Sequence, residues 1–98
     1  MAITSVTRFK GGNRDAFVAT AKKAKAIFEQ AGGEFQVAQI YSGSDVGQWV
    51  AMIAFPDWEA YGKAMKTLSG NAAYLTMMAE LGAVSPATDR TFIVGIDL

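Results

Sequence analysis

The sequence predicts an α+β domain whose elements run β-α-β-β-α-β around a four-stranded antiparallel sheet. Three observations predict it. Four stretches carry the β-branched and aromatic residues of strands, two others repeat apolar residues at helical spacing, and Gly-Gly, Gly-Ser and Pro-Asp steps separate them. The chain has 98 residues, which fits one domain over 1–98.

Residues 2–9 hold Ile3, Val6, Thr7 and Phe9 and read as a strand that ends at Gly11-Gly12. Asn13 is a good N-cap, and Asp15 falls in the first turn, where the helix dipole favours negative charge. From 13 to 31, Phe17, Ala21, Ala24, Phe28 and Ala31 form one apolar stripe, and Gly32-Gly33 stops the helix. Residues 34–42 alternate and read as a second strand. Gly43-Ser44-Asp45-Val46-Gly47 reads as a hairpin loop. Residues 48–55 form a third strand, apolar from Trp49 to Phe55. Asp57 then caps a second helix that carries Trp58, Tyr61, Met65 and Leu68. Ser69-Gly70-Asn71 splits it, and Asn71 caps a further segment to about Leu81, with Tyr74 and Met78 on one face. Residues 82–89 read as a loop and 90–97 as the last strand.

Two helical regions cover one face of such a sheet. Yet Trp49, Ile53 and Phe55 point one way on the third strand while Val50 and Met52 point the other, and on the last strand Phe92, Val94 and Ile96 oppose Ile93. An apolar second face left in water is an aggregation hazard. A second copy of the chain, packed sheet against sheet as a homodimer, is the expected cover.

Hydrophobic residues make up 51% of the chain and charged residues 18%. Lys and Arg total 9, as do Asp and Glu. This balance argues against nucleic acid as a partner, since phosphate binding needs clustered cations. Lys22, Lys23 and Lys25 read as a solvated helix face. The chain has no Cys and no His. Thiolate nucleophiles, His-centred triads and the preferred ligands of zinc and haem are therefore missing, and no metal or cofactor is expected. The carboxylates form no metal-binding spacing. No stretch suits a membrane span, and Met1 to Ser5 lacks a signal-peptide pattern, so the cytoplasm is the expected location.

The order β-α-β-β-α-β with an apolar sheet face is ferredoxin-like and resembles the dimeric α+β barrel superfamily. The segment Ile53-Ala54-Phe55-Pro56-Asp57-Trp58-Glu59-Ala60-Tyr61 resembles its strand-turn-helix element. Gly11-Gly12 followed by Phe17 resembles its first β-α junction, and Leu68-Ser69-Gly70-Asn71 with Tyr74 resembles the break before its helical C-terminal half. The superfamily includes cofactor-independent antibiotic-biosynthesis monooxygenases, haem-degrading monooxygenases, polyketide cyclases, stress-responsive barrel proteins and NIPSNAP-type proteins. Haem-degrading members place a His on the second helical region, where this chain has Met77 and Met78. The His-dependent cyclases are excluded likewise. The cofactor-independent oxygenases use Asn, Trp, Tyr and Arg, types present here as Asn71, Trp49, Trp58, Tyr41, Tyr61, Tyr74, Arg8 and Arg90.

Two functions stay open. One is oxidation of a small aromatic or polyketide-like compound without a cofactor, the substrate's own carbanion reacting with O2. The other is a non-catalytic binding or stress-associated dimer. In the first, the ligand lies between sheet and helices near Tyr61, Met65, Tyr74 and Met78, with Arg8 or Arg90 as polar anchor. The same residues also suit a dense core, and Asn71 suits a helix cap. A closed apolar pocket with Arg or Tyr at its wall separates the two cases.

Overall fold

The first and third strands are bounded by the punctuation their sequence carries. The computed structural model describes residues 2–44 and 46–98. Among them lie β1 (Ile3–Phe9), α1 (Arg14–Gln30), β2 (Glu34–Gln39), β3 (Trp49–Phe55), α2 (Trp58–Ser69), α3 (Ala72–Val84) and β4 (Ala87–Val94). The strands order as β2-β3-β1-β4 in one sheet, with all three pairings antiparallel. This is the ferredoxin-like arrangement.

Each helix starts on a side-chain cap. Asn13 accepts from the Ala16 N–H at 2.9 Å, Asp57 from Ala60 at 2.8 Å, and Asn71 from Tyr74 at 2.9 Å. Each bond satisfies one of the amide groups that a helix leaves free at its start. Gly32, Gly43 and Gly47 have φ of 98°, 96° and 91°, a region L side chains avoid. The last two bracket the β2–β3 connection, where the Gly47 N–H returns to the Ile40 carbonyl. Asp45, read as part of that loop, lies outside the described residues.

Three elements differ from the sequence expectation by more than a residue. β2 ends at Gln39 rather than at residue 42. α3 runs to Val84, so residues 82–84 are helical and not loop. β4 spans Ala87–Val94 instead of 90–97. Its early start is explained by its partner. β1 offers a free edge through Phe9, and Ala87 pairs there across a bulge between Arg8 and Phe9. An edge strand tolerates the polar Thr88 and Asp89, which in isolation signal a loop.

Side chains alternate across the sheet. Ile3, Ser5 and Phe9 of β1, with Trp49, Ala51, Ile53 and Phe55 of β3, are buried on the helix side. The stripe of α1 packs there, with Phe17 stacked on Trp49 at 4.3 Å and Phe28 on Phe35 at 5.7 Å. No described residue forms a layer over the opposite face. Across it run the rows Gln36–Met52–Val6–Thr91 and Glu34–Ala54–Thr4–Ile93. The Cα extents of 38 × 34 × 17 Å describe a thin slab of two layers. No helix of the described residues is long and apolar enough to cross a membrane.

A ligand-sized cavity between sheet and helices

The helix side of the sheet is not filled. α1 presents Ala21 and Ala24 between Phe17 and Phe28, and β3 presents Ala51 opposite them. Methyl groups at these three positions leave a gap that longer side chains would close. The result is a cavity of about 370 Å³, within the range of sites that hold drug-sized molecules. Phe9, Phe35 and Ile53 line its sheet side. Met65 from α2 and Tyr74, Met77, Met78 and Leu81 from α3 line the helix side, and Ala87 to Arg90 of β4 form the remaining wall. The lining is overwhelmingly apolar, with Ser5, Thr7, Thr88, Asp89 and Arg90 as its polar members besides Tyr74.

Arg90 is the one cation on this wall, and it is held in place. Its Nε donates to the Ser5 hydroxyl at 3.2 Å, and Nη2 donates to the Tyr61 hydroxyl at 3.4 Å. Its guanidinium carbon stands 5.0 Å from the centroid of Phe92, within reach of a cation–π attraction. Phe92 in turn meets Tyr61 edge-on at 5.3 Å and Trp58 at 5.6 Å. Tyr61 also meets Phe55 at 5.5 Å, so this aromatic group ties α2 to both β3 and β4.

The residues expected around a ligand therefore separate into three groups. Met65, Tyr74, Met78 and Arg90 all line the cavity. Tyr61 does not line it but touches Arg90. Arg8 lies elsewhere. It shares the face of Thr4 and Val6 and pairs in register with Val50 and Asp89, so the alternation of β1 turns it to the uncovered side. Tyr74 contacts Phe28 edge-on at 5.7 Å, and its hydroxyl makes no hydrogen bond to the described residues, which leaves that group for a ligand or water. Trp49 belongs to the core, Trp58 to the rim, and Tyr41 is almost fully exposed. Asn71 is spent on its cap.

Ser5 and the alanines escaped the sequence reading. Ser5 is 2% exposed, and a hydroxyl in the middle of an apolar strand face was the signal. Among the described residues there is no cluster of three or more acidic, His or Cys side chains fit for a metal.

Solved structures share this architecture. A variant of SnoaB, a cofactor-independent oxygenase from Streptomyces nogalater, aligns over 99% of this chain and 95% of its own, with TM-score 0.77 and 18% identity. A NIPSNAP domain protein from Burkholderia xenovorans aligns over 98% and 95%, with TM-score 0.79 and 14% identity. Rv0793 from Mycobacterium tuberculosis aligns over 100% and 98%, with TM-score 0.61 and 18% identity. The chain shares the ferredoxin-like α+β fold of these proteins. Neither the family models nor the curated proteins searched give a match to it. At these identities the likeness is one of fold, which hosts oxygenases and NIPSNAP proteins alike.

Proposed function

We infer that this protein binds a small, flat, mostly apolar compound in the cavity and oxidises it with O2, without a cofactor. The observation that carries this reading is an apolar cavity of about 370 Å³ with a single guanidinium fixed at its wall. A phenol or enol with an acidic ring carbon suits it. The apolar wall takes up the ring, and Arg90 stabilises the oxygen on which negative charge gathers as the carbon becomes nucleophilic. That carbon bonds to one oxygen atom of O2. The resulting peroxide loses water as the second C–H bond breaks, one oxygen remaining as a quinone carbonyl and the other leaving in the water. Substrate C–H bonds supply all four electrons, so no external reductant enters. The fold shared with SnoaB, described as a cofactor-independent oxygenase, supports the reading. The homodimer belongs to the same proposal, on the strength of Val6, Val50, Met52 and Ile93 across the uncovered face.

An oxygen electrode tests it with an anthrone as substrate. Consumption of one O2 per quinone formed is expected, with kcat/KM about a hundredfold lower in Arg90→Gln. Saturable binding of the anthrone with no O2 uptake above the uncatalysed rate would leave a binding protein and remove the oxygenase.

A further inference from the structure

Ser5 occupies an unusual place for a hydroxyl. It stands on a central strand, 2% exposed, on the same face as the buried Ile3 and Phe9. A hydroxyl there must be satisfied from within the protein or by a bound molecule. It accepts from Nε of Arg90, a residue one step diagonal in the sheet, since Ser5 pairs with Phe92 and Arg90 with Thr7. Having accepted, it still has its own hydrogen to donate, and no described residue receives it. Ser5 and Arg90 both line the cavity. Nη1 of Arg90 likewise makes no hydrogen bond to the described residues. The Ser5 hydroxyl and Nη1 of Arg90 thus each keep a hydrogen to donate, on two residues that line one apolar space.

The guanidinium needs this hold. All residues of β4 are exposed, and a long side chain on such a strand ordinarily extends into water. Ser5 from β1, Tyr61 from α2 and Phe92 from β4 instead keep it at the wall.

We propose that Ser5 and Tyr61 determine specificity by holding Arg90 at the cavity wall, with the Ser5 hydroxyl as a second donor, so that the site selects the ionised form of its ligand over a neutral isostere. This rests on the cavity being the ligand site, as in the function given above. Ser5 touches the ligand oxygen, whereas Tyr61 is a positioning residue that acts through Arg90. The Tyr61 bond is the longer of the two and its effect the smaller.

The test uses two probes of one shape, a hydroxynaphthoquinone at a pH where it is ionised and its neutral methyl ether. Quenching of tryptophan fluorescence reads binding, because Trp49 stacks on the cavity-lining Phe17. The visible band of the quinone anion reads its surroundings. Wild type is expected to favour the anion. Ser5→Ala should weaken anion binding about tenfold, leave the ether unchanged and return the bound band toward its position in water. Tyr61→Phe should do the same by about threefold, and Arg90→Gln should abolish the preference. The unchanged ether affinity shows that each variant has kept its fold. Equal weakening of both probes in Ser5→Ala and Tyr61→Phe, or no change in either, overturns the proposal. A wild type that binds ether and anion alike overturns it while keeping the cavity as a binding site. A wild type that binds neither removes the underlying function as well.

Discussion

Gly33 joins α1 to β2 under the sheet's edge. A Cβ built there would lie 2.9 Å from Cγ2 of Ile53 and 3.0 Å from the Phe55 ring, both part of the buried core. Neither can retreat without disturbing its packing. Gly33→Ala should therefore lower unfolding stability by about 1–3 kcal/mol. Gly62, in the exposed middle of α2, meets nothing within 4 Å, and Gly62→Ala should raise stability by about 0.5–1 kcal/mol through helix propensity. Urea unfolding of the two variants checks both signs. At this scale the sequence was legible where chemistry is local and illegible where parity decides. Arg90 and Arg8 look alike in the chain, each in or beside an apolar strand. Their difference is one of alternation. Val6 is apolar on the uncovered face and Ser5 polar on the buried one, which inverts the usual rule and hides on which side Arg8 lies. The cavity was equally hidden, because an alanine reads the same whether a neighbour fills the space beside it or not.

Among elements, α3 depends most on its cap. Its apolar residues are not gathered on one side, with Leu75 and Met78 exposed and Met77 buried, so burial of a single face contributes less than in α1. Asn71→Ala should cost about 1 kcal/mol and Asn71→Asp little, as measured by thermal unfolding. The cap receives the Tyr74 N–H, so it also fixes the start of the segment that roofs the cavity. Helix starts were readable because Asn13, Asp57 and Asn71 each announce themselves by a side chain three residues ahead of the amide they bind. The start of β4 was not. Thr88 and Asp89 following Pro86 carry loop chemistry, and what makes them a strand is the edge of β1, where the Thr88 hydroxyl donates to the Arg8 carbonyl 80 residues away. No window of sequence contains that partner.

At the scale of the whole molecule, the slab has one face with helices and one without. The uncovered rows place Met52 beside Val6 near the centre, between polar Gln36 and Thr91 at the margins, the apolar middle and polar rim of a contact surface. Sedimentation equilibrium at micromolar concentration should find a dimer for the natural chain and a monomer for Met52→Lys, which puts a charge at the centre of that surface. A monomeric natural chain would end the sheet-to-sheet reading.

The exposure of β4 has a further meaning. Among the described residues no strand pairs with its outer edge, and all its residues are open to water, yet it carries the guanidinium that lines the cavity. If the cavity is the ligand site proposed above, whatever restrains this strand from outside bears on Arg90 as well, and a molecule gripped by Arg90 bears on the strand. By thermodynamic reciprocity, a contact that tightens one must tighten the other by the same factor. On that proposal, ligand affinity is a property that this molecule's outer border shares with its interior.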